Sequence, residues 1–243
     1  MYGAYERSAE VYDVLYEQLV DYDVNSERVA GLIYERQPQA ATLLEVASGT
    51  GAYLERLSRR FEVVGLDRSP QMLRRARQKY PDIELVEGDM TGFDLGRRFD
   101  AVVCLFSSIA YVQTLAALRS TMKCFADHLN PGGVVVLEPW FPADQWDDGY
   151  VGIMSARTEE LAVARSSTSI RESERSVILR FGFAVAYPDG TIDTFVEDHP
   201  TGQFTVDEHL VAFTAAGLAA DYDPEGLMGR GLYVARKDGS PVP

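Results

Sequence analysis

Three stretches between residues 45 and 90 carry residues whose types and spacing could hold a nucleotide-like ligand. The first is Glu45-Val46-Ala47-Ser48-Gly49-Thr50-Gly51, an apolar run that stops in small residues just before a helical pattern. Backbone amides at such a turn can face a ligand, and the helix N-terminus adds partial positive charge. The second, Val63-Val64-Gly65-Leu66-Asp67, is an apolar run closed by a carboxylate, which suits the paired hydroxyls of a ribose. The third begins at Ile83 and ends in Glu87-Gly88-Asp89-Met90. Three runs ending in Gly or acidic residues predict a ligand site along one edge of a parallel sheet. A dinucleotide fingerprint is excluded, because Leu54 stands where the third glycine belongs. No Gly-Lys-Ser/Thr follows, so a P-loop is excluded as well.

The elements that must position these residues alternate regularly. Helices are expected over 5–20, where Val11, Tyr12, Leu15, Tyr16 and Leu19 form one stripe, and from an Asn25 cap to Pro38. Helix 52–60 leads to strand 62–66, Ser69 caps a basic helix from Pro70 to Tyr80, and strand 83–86 follows. Ala101 to Phe106 reads as a buried strand, 113–129 as a helix stopped by Asn130-Pro131-Gly132-Gly133, and Val134 to Leu137 as a fifth strand. The fold class this predicts is α/β, a doubly wound, mostly parallel sheet. Between 150 and 205 the pattern turns antiparallel, with Pro188-Asp189-Gly190 as a hairpin turn between apolar strands. Helix 206–216 and strands 218–222 and 231–236 then complete the core sheet, and residues 239–243 read as a frayed tail. The domain plan is therefore 1–149 for N-terminal helices and core, 150–205 for the insertion, and 206–243 for the return.

Composition narrows the partners. A formal net charge of −14 argues against nucleic acid, which needs a basic footprint. No apolar run approaches the roughly 20 residues of a membrane span, and no secretory leader pattern opens the chain. Two cysteines, Cys104 and Cys124, read as reduced thiols in a cytoplasmic protein. No Cys/His cluster has metal-ligand spacing, so no metal is expected. Edge strands in the insertion could pair between subunits, which makes a homodimer plausible.

The chain resembles the class I S-adenosylmethionine (SAM) methyltransferases, whose Glu/Asp-x-x-x-Gly-x-Gly motif is matched by Glu45 to Gly51. That resemblance implies a seven-stranded Rossmann-like sheet, SAM as cofactor and S-adenosylhomocysteine as product. Gly49 and Gly51 would let backbone approach the ligand, and Glu45 would order the turn and face the ammonium. The resemblance further implies Asp67 on the ribose hydroxyls, Asp89 and Met90 on the adenine edge, and Arg68 and Met72 completing the adenine slot. Ala47, Phe106 and the tyrosines Tyr12 and Tyr22, as parts of a lid, complete the expected cofactor set.

The acceptor follows from what stands after the fourth strand. Phe106-Ser107-Ser108-Ile109-Ala110-Tyr111 lacks both the Pro-Pro signature of enzymes methylating DNA or glutamine amines and a Pro-Cys nucleophile. Small-molecule acceptors remain. Here the chain is similar to bacterial sugar N,N-dimethyltransferases acting on TDP-linked aminodeoxysugars in antibiotic pathways. The matching segments include Glu87 to Met90, Phe106 to Tyr111, Pro131 to Phe141, Ser167 to Glu172, Ala212 to Leu218 and Gly229 to Leu232. The chain departs from that pattern in having Trp140 alone before Phe141, and the polar Pro200-Thr201-Gly202-Gln203 where relatives are apolar. The resemblance implies Arg171 and Arg230 on the diphosphate, with Ser108, Glu138, Trp140 and Phe141 lining the acceptor site. Tyr5, Tyr111 and His199 are the catalytic candidates, expected to orient the amine without an obligatory base. The runner-up is a methyltransferase for a natural-product aglycone, marked by a wholly apolar cleft. A SAM-binding scaffold is the non-enzymatic alternative, marked by loss of a cofactor contact.

Overall fold

A computed structural model describes residues 3–238. The chain order begins α1 (Tyr12–Tyr16), α2 (Tyr22–Arg36), β1 (Thr42–Val46), α3 (Ala52–Leu57), β2 (Glu62–Asp67), α4 (Pro70–Lys79) and β3 (Glu84–Glu87). It continues through β4 (Phe99–Cys104), α5 (Leu115–Asp127) and β5 (Leu129–Leu137). Four strands follow, β6 (Val151–Arg157), β7 (Ala162–Arg171), β8 (Ser176–Ala186) and β9 (Ile192–Gly202). The chain closes with α6 (Val206–Ala215), β10 (Leu218–Asp223) and β11 (Leu232–Lys237).

Seven strands form one sheet in the order β10-β11-β5-β4-β1-β2-β3, with β11 antiparallel to both neighbours. This is the α/β, mostly parallel sheet expected from the alternating pattern, with the seven strands that the resemblance implies. Both faces are covered, as apolar runs without alternation require. Leu44, Val46, Val102 and Cys104 face α5 and α6, where Leu118, Met122, Phe125 and Phe213 are fully buried. Leu43, Ala101 and Val103 face the opposite way, onto Val29 and Ile33 of α2 and Leu54 and Leu57 of α3. Strand order reverses between β1 and β4, which opens a crevice at their C-terminal ends. Among the described residues no helix is long and apolar enough to cross a membrane.

The antiparallel strands build a second sheet in the order β6-β7-β8-β9, with Gly190 supplying the positive φ of the β8–β9 turn. Its inner face, through Val163, Phe183, Val185 and Phe195, packs on Val11 and Leu15 of the N-terminal segment. That segment is not the single helix expected over 5–20. Tyr5 has φ +62, residues Ser8–Glu10 make a 3₁₀ turn, and only Tyr12–Tyr16 are α-helical. The amides of Arg7 and Ser8 go to the Glu197 carboxylate instead of a helix, which is a long-range capture no local pattern announces.

Other boundaries moved for local reasons. Asp21, not Asn25, caps α2 by accepting from the Val24 amide, while Asn25 is buried and donates to the Tyr53 hydroxyl. The fourth strand stops at Cys104 because Phe106 and Ser107 both lie in the left-handed region. Thr114 caps α5, and the Asn130–Gly133 stretch is drawn into β5 beside an irregular register with β4. Both cysteines are free thiols. The expected tail at 239–243 lies outside the described residues.

One close approach joins the two sheets. At the end of β9, a Cβ on Gly202 would stand 2.6 Å from the Gln113 Cα. Gln113 follows the 3₁₀ turn that carries Tyr111. Gly202→Ala should therefore push this turn away from β9 and cost about 1–3 kcal/mol, read as a lowered melting temperature in thermal unfolding.

Candidate active site

The crevice holds two cavities that share a wall. The first, about 520 Å³, is lined by Ala47, Gly49, Asp67, Arg68, Met72, Asp89 and Met90 from the ends of β1, β2 and β3. Tyr5 and Tyr12 cover it from the N-terminal segment, and Ser108 and Tyr111 close it on the β4 side. The second, about 500 Å³, lies between the sheets and is lined by Phe106, Trp140, Phe141, Trp146, Arg165, Phe181 and Arg230. Tyr5 and Tyr111 line both.

The first cavity is acidic. Asp67 accepts from the Gly49 amide at 2.8 Å and from the Ser69 amide at 2.7 Å, which fixes its carboxylate at the strand tip. Burial pushes its carboxyl up, with those amides and Arg68 opposing. Burial acts the same way on Asp89, but the Thr91 hydroxyl and amide outweigh it and hold that carboxyl below its usual value. Glu45 is 3% exposed, and its Oε2 has no hydrogen-bond partner. Burial, reinforced by Asp67, raises its carboxyl well above the ordinary range.

The turn itself departs from the expectation of outward-facing amides. Those of Ser48, Gly49 and Gly51 are spent on Leu66 O, Asp67 and Ser48 O. Gly49, at φ +56, has open space where a Cβ would stand, so a ligand can lie against it. Gly51 is required for another reason. Its φ is +83, and a Cβ there would meet the Tyr80 ring at 3.1 Å, away from the cavity. A turn short of donors, with buried carboxyls behind it, suits a ligand carrying positive charge. Glu45 does not line the cavity, and its unpartnered oxygen is buried behind the turn; with that orphaned acceptor, the bare Gly49 face and the fixed Asp67 carboxylate fit the cationic methionine and ribose of SAM.

The second cavity is aromatic and basic. Arg230 stacks over Phe106 at 5.0 Å and Trp140 at 5.8 Å, and lies 3.3 Å from Oε1 of Glu138. Glu138 is fully buried and accepts from the Phe106 amide at 2.7 Å, so it braces the left-handed turn and the arginine together. Trp140, Phe141 and Trp146 form one ring cluster. Arg165 is 9% exposed, lies over the rings of Phe181 and Tyr16 and bonds the Tyr16 hydroxyl. Among the described residues no carboxylate pairs with it.

Sequence expectation and placement differ at several residues. Phe106, expected toward the cofactor, lines the second cavity, while Ser108, expected toward the acceptor, lines the first. Two consecutive left-handed residues reverse the backbone there and send neighbouring side chains to opposite sides. Arg171 lines neither cavity and is tied to Asp148 and Gln203. Tyr22 is buried against Tyr53 and also lines neither, so Tyr5 and Tyr12 are the covering tyrosines. His199 is 1% exposed and stands behind Tyr5 and Tyr111, with its Nδ1 2.8 Å from the Tyr111 hydroxyl. Arg165, Trp146 and Glu197 are absent from the sequence expectations. Period two marks two of them, Arg165 sharing the inward face of β7 with Val163 and Glu197 that of β9 with Phe195 and His199; Trp146 follows a 3₁₀ turn and has no such signal.

Residues 43–133 match the family described as a methyltransferase domain. A dTDP-3-amino-3,4,6-trideoxy-alpha-D-glucopyranose N,N-dimethyltransferase of Streptomyces venezuelae is 42% identical, over 93% of this chain and 96% of its own. The crystal structure of Streptomyces venezuelae DesVI aligns with a TM-score of 0.91 at 40% identity, covering 97% of this chain and 100% of that one. SAM-bound CalS10 from Micromonospora echinaspora, an amino pentose methyltransferase of calicheamicin biosynthesis, aligns at 0.83 and 38% identity, over 98% and 99% of the two chains.

The buried Glu45 has a consequence for stability. A carboxyl raised in the folded state favours folding below its unfolded value and loses that contribution as pH rises through the folded one. At neutral pH Glu45 therefore opposes folding of the ligand-free protein. Glu45→Gln should stabilise it by about 1 kcal/mol, some 2–4 °C in Tm, and flatten the decline of Tm with rising pH. Calorimetric melts of both proteins across the acid to neutral range check this.

Proposed function

This chain belongs to the family of SAM-dependent dTDP-aminosugar N,N-dimethyltransferases, and from that premise we propose that it methylates the amine of a nucleotide-linked aminodeoxysugar. The observation that carries the reading is the opposite character of two adjoining cavities. One is acidic and suits the cationic, ribose-bearing SAM; the other joins clustered aromatics to arginines, as a base and a diphosphate require. An aglycone would call for an apolar chamber, and Arg230 and Arg165 speak against that. Intact Glu45, Gly49 and Asp67 speak against a scaffold that has lost its cofactor.

Within this reading Asp67 takes the ribose hydroxyls, Glu45 sits behind the turn that meets the cationic methionine, and Asp89, Met90, Arg68 and Met72 border the adenine. Arg230, braced by Glu138, holds the diphosphate, and the rings of Trp140 and Phe141 stack on the base. Bound SAM supplies an electrophilic methyl on a positively charged sulfur. The protein's part is to bring the amine lone pair in line with it, which alone is worth several kcal/mol. Tyr5 and Tyr111, at the junction, offer oxygens to which the amine N–H groups can donate. Burial raises both phenols far above their usual value, so they act as neutral hydrogen-bonding groups. Assembly as a homodimer, with SAM consumed to S-adenosylhomocysteine in the cytoplasm, completes the proposal.

Mass spectrometry of TDP-aminosugars incubated with protein and SAM tests it directly. A gain of one or two methyl groups on the sugar amine is expected; transfer only to aglycones would refute it. Asp67→Ala should weaken SAM binding by about 1.5–3 kcal/mol in calorimetry, because hydrogen bonds to a charged group are lost. Arg230→Ala should raise the KM for the sugar nucleotide and leave SAM affinity close to wild type, with Lys rescuing only in part. Arg171→Ala, outside the cavity, should have the smaller effect on KM.

A further inference from the structure

Behind the two shared tyrosines stands a chain of polar groups that in-line transfer does not by itself require. The Tyr5 and Tyr111 hydroxyls lie 2.8 Å apart, and that of Tyr111 lies 2.8 Å from His199 Nδ1. On the other side of the ring, Nε2 is 3.3 Å from Oε2 of Glu197. Glu197 has no exposed surface, yet it is fully solvated by protein. Its Oε1 accepts from the Arg7 amide at 2.7 Å and the Ser8 amide at 2.9 Å, and its Oε2 from the Ser8 hydroxyl at 2.5 Å. The Arg7 and Ser8 amides and the Ser8 hydroxyl all donate to it, which favours the ionised carboxylate. Burial pushes its carboxyl up, but the bonds from His199, Ser8 and Arg7 outweigh that and leave it below the usual value.

We propose that Glu197 is a positioning residue for methyl transfer: it fixes His199 as the tautomer with hydrogen on Nε2, so that Nδ1 presents a lone pair to Tyr111. The proposal rests on the amine-methylation reading above. One phenolic hydrogen can serve only one neighbour. The geometry of the two hydroxyls sets Tyr111 as donor to Tyr5; a bare Nδ1 turns the Tyr111 hydrogen to His199, and the Tyr5 hydrogen then takes over the bond between the two phenols. Both oxygens then turn lone pairs toward the junction of the cavities, where an amine needs acceptors. Transfer forms an N–C bond, breaks an S–C bond and leaves the nitrogen with a positive charge and a proton to lose. That proton goes to the Tyr5 oxygen as the Tyr5 hydrogen passes to Tyr111 and the Tyr111 hydrogen to Nδ1. The product is a neutral amine and an imidazolium paired with ionised Glu197. In that loaded state the bonds reverse: Nδ1–H donates to Tyr111 and Tyr111 donates to Tyr5.

The other charged groups around the chain are in place to leave this direction intact. Arg68 lies over the Tyr111 ring, and Arg165 stands over Phe181, whose ring packs on His199. Asp198 is paired with Arg180 and Asp193 with Arg7, while Asp13 is held by Lys79 and Thr50. Tyr12 and Tyr16 also flank the segment, and burial keeps the Tyr12 phenol neutral.

The test uses the full chain and reads two quantities, the His199 tautomer by ¹⁵N NMR and the pH dependence of kcat. With three histidines in the sequence the assignment is simple. Wild type is expected to carry its hydrogen on Nε2. Glu197→Gln places an amide hydrogen toward Nε2, which should move the ring hydrogen to Nδ1 and lower kcat by about 10–100-fold. The acid limb of kcat should move to lower pH as the adjacent negative charge is lost, SAM affinity should hold, and Glu197→Asp should restore part of the rate. A Glu197→Gln enzyme with wild-type kcat, or with reduced kcat but unchanged tautomer and pH profile, overturns the proposal. Should that variant fail to fold, wild type decides alone: hydrogen on Nε2 upholds the proposal, and hydrogen on Nδ1 overturns it. The tautomer is read without substrate, so a failure of the aminosugar reading shows up separately, as no methylated sugar.

Discussion

The carboxylate of Glu197 and the two backbone amides it captures hold the site together. Arg7 and Ser8 are 190 and 189 residues away in sequence, and their attachment to β9 draws the N-terminal segment across the edge of the core sheet. Without that anchor Tyr5 would have no reason to adopt a left-handed backbone, and neither cavity would have its shared wall. Asp13 provides the second tether, to the Thr50 hydroxyl at 2.5 Å and to Lys79 at 2.8 Å. The segment thus spans from the antiparallel sheet to the glycine-rich turn, pinned at each end by a carboxylate. A non-glycine residue at positive φ costs of order 1–3 kcal/mol and persists only where its surroundings hold it. Tyr5, Ala47, Phe106 and Ser107 all do so, and all lie around the two cavities.

The charge layout follows a similar logic. Glu45, Asp67 and Glu138 are buried, and burial raises all three carboxyls, at Glu138 against the opposing Arg230 and Phe106 amide, so each opposes folding at neutral pH more than it helps it. Replacing such groups with uncharged ones is often stabilising, so their presence points to a ligand that completes them. Arg230 offsets Glu138 from the other cavity, which makes that pair the electrostatic partition between an acidic chamber and a basic one. A cation and an anion can then approach from opposite sides and meet at two neutral hydroxyls.

Much of this was legible from local pattern. Buried runs such as Ala101-Val102-Val103 gave the core strands, the Ser69-Pro70 pair gave the start of α4, and Pro188-Asp189-Gly190 gave the β8–β9 turn. Acidic strand tips located the first cavity because register sets Asp67 beside Glu87, and Asp89 follows two residues beyond the end of β3. What escaped depends on contacts distant in sequence. The break of the N-terminal helix comes from Glu197, the reversal at Phe106 and Ser107 from Glu138 and Pro139 O, and the displacement of Arg171 from Asp148. Period-two alternation marked Arg165 and Glu197 as inward-facing, yet inward charge becomes meaningful only once both faces of the second sheet are known.

The account stands most directly on where the two ligands lie. A crystal structure with S-adenosylhomocysteine and a TDP-aminosugar decides it. The account predicts the homocysteine compound in the cavity of Gly49, Asp67 and Asp89, the nucleotide against Trp140 and Arg230, and the sugar amine at hydrogen-bond distance from the Tyr5 or Tyr111 hydroxyl. A sugar nucleotide bound outside the aromatic cavity, or an amine turned away from both tyrosines, would contradict it.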